Sequence, residues 1–250
     1  MKVSIITVCF NSEKYLRETI LSVLSQDYKN IEYIIVDGAS QDRTLDIIKE
    51  FEPLFQGRMK WISEPDKGLY DAMNKGVRLA TGDVVGTLNS DDFFTSNNVL
   101  SKVVEIFRAD NKLELVYGDI HFVKPENLAK CVRYYSSSVF KPSLLRFGFM
   151  PAHPSMYIKR ECFDKYGYYT LNYKIASDFD LVARYIHTYK IKYQYLKLDF
   201  VTMRTGGKST NRMLLNKETV DACRKNGIPT NMFFMSLKYF YKVFEYLKKG

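Results

Sequence analysis

The chain has no apolar run approaching the ~18–20 residues that a membrane-spanning helix requires, so no spanning segment is expected. Cysteine is scarce, and Cys9, Cys131, Cys162 and Cys223 stand far apart with no Cys-x-x-Cys pair. That spacing excludes a disulfide framework and a cysteine-based zinc site, and suits reduced thiols in a cytosolic protein. Only Met1 and Lys2 precede the first strand-like run, so no signal peptide is expected. There is no internal repeat and no low-complexity segment, and histidine occurs three times in all.

What is present is ample apolar material and a surplus of positive charge. With 250 residues, 46% of them hydrophobic, the chain can bury a sizeable core for one large domain, or for one domain with an appendage. The formal charge of +9 points to anionic partners: nucleic acid, phosphorylated ligands or an anionic membrane surface.

Two β-branched, nearly continuous apolar runs, Lys2 to Cys9 and Ile31 to Val36, read as buried parallel strands. Met59 to Ser63 and Val84 to Leu88 are shorter strands. Between them, helical spacing follows Asn11-Ser12 and Gln41 to Thr44, and Leu69 to Ala80 is itself a helix. The first ~95 residues therefore alternate strand and helix, which predicts a parallel sheet. Ligands of such sheets sit beyond the carboxyl ends of the strands. Every polar cluster of this half lies there: Asn11, Asp37 to Ser40, Glu64 to Gly68, and Asn89-Ser90-Asp91-Asp92.

The last cluster organises the rest. A buried strand running into two adjacent carboxylates is costly, because each acid loses water and the two repel. A divalent cation resolves the conflict, and hard oxygen ligands suit Mg²⁺ or Mn²⁺. The alternative is a turn whose Asn, Ser and Asp cap the helix near Ser96. Asp37 suits a hydrogen bond from a nucleotide base, or a turn that starts the next helix. Gly68 lets backbone approach a ligand closely, or belongs to a solvated turn.

Beyond a helix near Asn97 to Ala109 and a strand at Leu113 to Tyr117, regularity lapses. Residues 118–150, rich in Tyr, Phe and Ser, read as an elaborated loop or small β insertion. Helices follow at Arg160 to Tyr166, Ser177 to Thr188 and Asn216 to Lys225, with strands at Ser155 to Ile158 and Ile191 to Phe200. Thr205 to Asn211 lacks the spacing of a phosphate-binding loop and reads as a mobile lid. From Phe233 to Leu247, aromatics and leucines recur every three or four residues, flanked by Lys238, Lys242, Lys248 and Lys249. This is the texture of an interfacial membrane helix, or of a helix docked on its own domain.

Five ordered stretches carry a resemblance: Val3 to Asn11, Val36 to Thr44, Pro65 to Gly76, Ala80 to Asp83, and Asn89 to Asp92. Together they resemble family 2 glycosyltransferases, closely from Lys2 to Phe94 and more loosely to about Leu181. The resemblance implies an α/β fold of GT-A type, with a Rossmann-like, mostly parallel central sheet flanked by helices and a C-terminal helical appendage. It implies a nucleotide diphosphate sugar donor, usually a UDP-sugar, a divalent metal, and inversion at the anomeric carbon. By position, Thr7 and Val8 line the base pocket, Asp37 binds uracil, and Asp66 helps bind base or ribose. Asn11, Gly68, Asn89, Ser90 and Asp91 complete the nucleotide contacts.

Asp91 and Asp92 fall on the family's metal motif, where Asn89 replaces the usual first acid. His153 stands where relatives have a histidine near the acceptor, and is a candidate for metal or diphosphate as well as for a structural role. Many relatives carry an arginine where this chain has Met73, which leaves Lys75 or Arg204 for the diphosphate. Ala176 to Leu181 is similar to the family's Glu-Asp motif, with Ser177 in place of the Glu. That puts Asp178 at the position of the catalytic base, although on its own an acid at a helix start reads as a cap. Asp180 is the fallback.

The chain is thus expected to be a metal-dependent glycosyltransferase acting on a hydroxyl of a saccharide acceptor, polyprenyl-linked, at the cytoplasmic face of the inner membrane in polysaccharide synthesis. Residues 1–212 form its catalytic domain, 1–95 the nucleotide half and 96–212 the acceptor half, with an extension from 213 to 250. Nucleic acid is not expected, because the lysines do not cluster with the strand-end motifs. The rivals are a non-catalytic nucleotide-sugar or polysaccharide binding module and a nucleotidyltransferase. The latter would carry a glycine-rich basic signature where this chain has Phe10-Asn11-Ser12-Glu13.

Overall fold

The computed structural model describes residues 1–206 and 211–237. The residues expected to form the tail helix beyond Leu237, and Gly207 to Thr210 of the expected lid, lie outside the described residues. Four strands, β1 (Val3–Cys9), β2 (Ile31–Asp37), β3 (Met59–Ser63) and β4 (Val84–Thr87), pair in parallel in the order β3-β2-β1-β4. All residues of β1 and β2 are buried, which is why their sequences are apolar on both faces rather than alternating. The connections are α1 (Leu16–Leu24), α2 (Thr44–Phe51) and α3 (Leu69–Leu79). One core joins α1 and α2 to one face of the sheet through Ile20, Val23, Ile47 and Ile48. The other joins α3 to the opposite face through Tyr70, Met73 and Val77.

The second half completes a nine-stranded sheet. It contains β5 (Phe93–Phe94), α4 (Val99–Ala109), β6 (Leu115–Lys124), β7 (Asn127–Tyr135), β8 (Met156–Lys159), α5 (Arg160–Tyr166), α6 (Ser177–Val182), β9 (Tyr193–Arg204) and α7 (Arg212–Lys225). β8 runs antiparallel between β4 and β6, while β6 and β9 are parallel. Because β8 is reversed, the turn His153–Ser155 that precedes it arrives at the edge where β1 to β4 end.

The region expected to be irregular is in part a hairpin. β6 continues past Tyr117 to Lys124 and returns as the largely exposed β7. The helix expected over Ser177–Thr188 is α-helical to Val182 and then a π-helical turn, Ala183–Thr188. α7 is packed into the core through Val220, Ala222 and Cys223, so the boundary expected at residue 213 does not separate two cores. Among the described residues, no helix is long and apolar enough to cross a membrane.

Candidate active site

The turns that end β1 and β2 are laced to each other. Asn11 and Ala39 both take left-handed backbone, at φ 49° and 62°, an uncommon conformation for residues with a Cβ. The Asn11 amide donates to Ser40 Oγ at 2.8 Å, and Gln41 N donates to Asn11 Oδ1 at 2.9 Å. Ser12 Oγ meets Ser90 Oγ at 3.0 Å, which ties this pair of turns to the end of β4. Thr19 of α1 donates to the carbonyls of Ser90 and Asp92 at 3.0 and 2.7 Å. Asn11, Asp37 to Ser40, and Asn89 to Asp92, separate in sequence, therefore share one edge of the sheet.

Asp37 is the floor of this corner rather than its wall. It is 0% exposed. Its carboxylate accepts from Ser40 N at 3.0 Å, from Ser63 Oγ at 2.6 Å and from the Ser40 hydroxyl. The hydrogen bond from a base expected at Asp37 would have to displace these bonds, which fix the β2–α2 turn. Thr7 is equally internal: its hydroxyl donates to Leu88 O and accepts from the Tyr33 hydroxyl. Val8 is buried in the sheet. The open wall above Asp37 is made instead by Phe10, which is 51% exposed, the backbone of Gly38, and Asp66. A Cβ at Gly38 would lie 2.6 Å from Asp66 Oδ2 and 3.4 Å from the Phe10 ring. Asp66 Oδ1 accepts from Gly68 N at 2.7 Å, and Gly68, at φ 115°, begins α3.

The acid pair is asymmetric. Asp92 is 1% exposed and Asp91 is half-buried. Asp92 accepts from Asn89 Nδ2 at 2.8 Å and from Arg204 N at 3.4 Å, both neutral donors. Burial, and then the charge of Asp91, push the Asp92 carboxyl well above the usual carboxylate range. The Arg204 guanidinium does not answer that charge. It bonds the Asp91 carbonyl and the Glu18 carboxylate, with the rings of Tyr15 and Phe93 at 4.5 and 5.0 Å. Two adjacent carboxylates, one buried and one half-buried, are hard oxygen donors that fit a divalent ion, with water and ligand phosphate as the remaining donors.

His153, expected as a candidate for the same ion, has a partner within the protein. Among the described residues, no group of three or more His, Cys, Asp or Glu side chains is placed to share one ion. His153 Nε2 instead meets the Tyr169 hydroxyl at 2.8 Å. Burial lowers its pKa while the charge of Asp178 works the other way. Lys75 and Arg204, considered for the diphosphate, both have partners in the protein. Lys75 bonds Glu64 and the Pro65 carbonyl, both at 2.8 Å, so both cations are tied into the protein.

Asp178 stands at the start of α6. Its Oδ1 accepts from the Tyr70 hydroxyl at 3.1 Å and from Phe179 N at 2.8 Å. No described residue donates to its Oδ2, and that atom is not among the buried unpartnered ones. The segment leading into α6 is held by Glu218 of α7, whose two oxygens accept the Lys174, Ile175 and Ala176 amides at 3.0, 2.9 and 3.1 Å. Ser177 Oγ bonds the Thr170 carbonyl. Asp180, the fallback base, is buried and bonds Arg184 and Asn226. Tyr70 begins the helix that follows Gly68, so Asp178 connects through α3 to the Asp66 corner.

Sequence reasoning missed Phe10, Gly38, Tyr70, Asn74 and Glu218. The four-residue spacing of Tyr70 and Asn74 on one helix face is the signal that was available. A separate surface hollow of about 430 Å³, lined by Pro142, Ile186, His187, Lys190, Ile191 and Tyr193, lies at the amino end of β9, away from these strand ends.

Residues 4–167 match the family model described as Glycosyl transferase family 2. The chain is 30% identical over 200 residues to a PGL/p-HBAD biosynthesis glycosyltransferase of Mycobacterium bovis, covering 76% of this chain and 75% of the relative. In structure it is similar to S. aureus TarS 1–349 in complex with UDP-GlcNAc, with a TM-score of 0.69 and 17% identity, over 90% of this chain and 65% of that one. It is also similar to the mannosyltransferase PcManGT from Pyrobaculum calidifontis in complex with GDP-Man and Mn²⁺. There the TM-score is 0.65 and the identity 18%, over 90% of this chain and 63% of that one. The chain thus spans a little under two thirds of either structural relative. At such identities the likeness speaks for the fold, a mixed α/β architecture of GT-A type.

Proposed function

Since the chain belongs to glycosyl transferase family 2, we propose that it moves a sugar from a UDP-sugar to a hydroxyl of a saccharide acceptor, with inversion. The observation that carries this reading is the shared edge. An acid pair of which one member is buried and the other half-buried, a half-exposed ring beside a carboxylate, and a half-buried acid at a helix start all lie at the carboxyl ends of the strands.

Phe10 stacks on the uracil and Asp66 accepts from it, with Gly38 leaving room for the ring and Asp37 bracing the turn beneath. Asn11 and Ser90 line the path from ribose to diphosphate. Asp91 and Asp92 would hold a Mn²⁺ or Mg²⁺ ion, which when bound neutralises charge on the leaving diphosphate. Asp178 Oδ2 takes the proton of the acceptor hydroxyl as its oxygen bonds the anomeric carbon and the bond from that carbon to the phosphate oxygen breaks. The charge of +9 supports action at an anionic membrane surface on a lipid-linked acceptor. TarS and PcManGT, bound to UDP-GlcNAc and to GDP-Man with Mn²⁺, support the donor class and the metal.

The test is a thermal-shift panel of UDP, GDP and dTDP with and without Mn²⁺. A ligand that binds only the folded state raises the melting temperature by mass action. UDP with Mn²⁺ is expected to give the largest rise. No rise with any nucleotide overturns the reading.

A further inference from the structure

The donor loop and the base are joined through a single helix. The loop before α3 is locked to it: Asp71 Oδ2 accepts from Lys67 N at 3.0 Å, and Lys75 bonds the Pro65 carbonyl and Glu64. From the same helix the Tyr70 hydroxyl donates to Asp178 Oδ1 at 3.1 Å across 108 residues of sequence. One turn further on, Asn74 clamps the backbone of Tyr169. Its Nδ2 donates to the Tyr169 carbonyl at 2.8 Å, and the Tyr169 amide donates to its Oδ1 at 3.0 Å. The rings of Tyr70 and Tyr169 stack with centroids 5.8 Å apart and planes at 23°.

The titratable groups around Asp178 are thus Tyr70 from α3, Tyr169 from the loop before α6, and His153 from the turn before β8. Tyr70 is 5% exposed. Burial, and then the charge of Asp178, raise its pKa, so it keeps its proton and serves as a donor. For packing and stacking alone, phenylalanine would do as well.

We propose that Tyr70, set by the Asn74 clamp on Tyr169, is a positioning residue that aims Asp178 at the acceptor and joins it mechanically to the donor loop. This rests on the reading of Asp178 as the base. A hydrogen bond to one carboxylate oxygen fixes the carboxyl plane and presents the other oxygen to the cleft. Because α3 also carries the Asp66–Gly68 loop, a nucleotide that orders the loop orders the base in the same motion.

The experiment compares the full-length chain with Tyr70→Phe and Asp178→Asn. The ¹³C-carboxyl signal of Asp178, identified by its disappearance in Asp178→Asn, is recorded for wild type and Tyr70→Phe at neutral pH as a report on the hydrogen bond to Oδ1. In Tyr70→Phe that signal is expected to change its chemical shift as the hydrogen bond to Oδ1 is lost. UDP release from UDP-GlcNAc, UDP-glucose and UDP-galactose with Mn²⁺, water serving as acceptor, supplies the kinetic readout. In Tyr70→Phe kcat is expected to fall about tenfold with donor KM unchanged. The variant retains both rings, and an unchanged melting temperature checks that it is folded. A signal that does not change, or a kcat that does not fall, overturns the proposal. Asp178→Asn with undiminished UDP release overturns the parent reading, and the proposal with it.

Discussion

Glu32 offers a quantitative check on how this sheet is held. It sits on β2 at the end away from the strand-end clusters, and its side chain is 2% exposed. Lys60 Nζ lies 2.8 Å from it and Lys2 Nζ 3.2 Å, while Ser4 Oγ, Thr81 N and Thr81 Oγ1 donate at 2.8, 2.8 and 2.9 Å. Burial works to raise its pKa, but the hydrogen bonds from Lys60, Thr81 and Ser4 outweigh it and lower the pKa from 4.5 to about 2. The folded value lies below the unfolded one, so the charge stabilises the fold fully above the unfolded pKa. That stability is lost as pH falls through the folded value.

A gap of some two and a half units at ~1.36 kcal/mol each gives about 3 kcal/mol near neutral pH. Glu32→Gln removes this contribution and turns one acceptor into a donor facing donors. For a chain of this size, ~2–4 °C per kcal/mol puts the loss at roughly 6–12 °C of melting temperature near neutral pH. The gap between the two proteins should shrink to less than half when both are melted near pH ~3, where the wild-type carboxylate has lost most of its advantage. Circular dichroism melts at the two pH values decide it. A Gln variant as stable as wild type near neutral pH, or a gap that stays constant with pH, would refute the reasoning.

Other expectations bear on the site. Asp92→Asn removes a buried charge with only neutral partners; it should melt higher than wild type in chelator, by about 1–3 kcal/mol, yet lose the Mn²⁺-dependent part of UDP stabilisation, both read by thermal shift. Gly38→Ala places a methyl 2.6 Å from Asp66 Oδ2; UDP affinity by calorimetry should fall about tenfold or more, with little change in melting temperature. Phe10→Ala should weaken UDP binding by about 1–2 kcal/mol through lost stacking, and equal affinities would remove Phe10 from the base pocket. Gly76→Ala would bring a methyl within 2.4 Å of Ile6 Cγ2; overpacking of this kind costs roughly 1–3 kcal/mol, seen as a lower denaturation midpoint.

The parallel half was legible because its strands are buried on both faces, so apolar continuity and strand ends could be read directly; β3 and α5 fall where their residues place them. The β6–β7 hairpin was not, since β7 is mostly exposed and carries neither an apolar run nor clean alternation. Among site residues, the acid pair was legible as a conflict that burial would create. The burial of Asp37 was not, because an acid at a strand end reads the same whether it points at a ligand or back at Ser40 and Ser63. The Tyr70–Asp178 bond spans 108 residues, and no local pattern encodes a contact at that range.

On the proposed reading, the reversed direction of β8 divides how the two reactants are served. The nucleotide side is built from loops that follow strands, whose lengths are constrained by the helices they must start. The segment reaching the cleft ahead of β8, residues 136–152, begins no helix of the donor half. On the proposed reading, a graft confined to that segment exchanges one acceptor preference for another while the machinery that grips the nucleotide stays as it is.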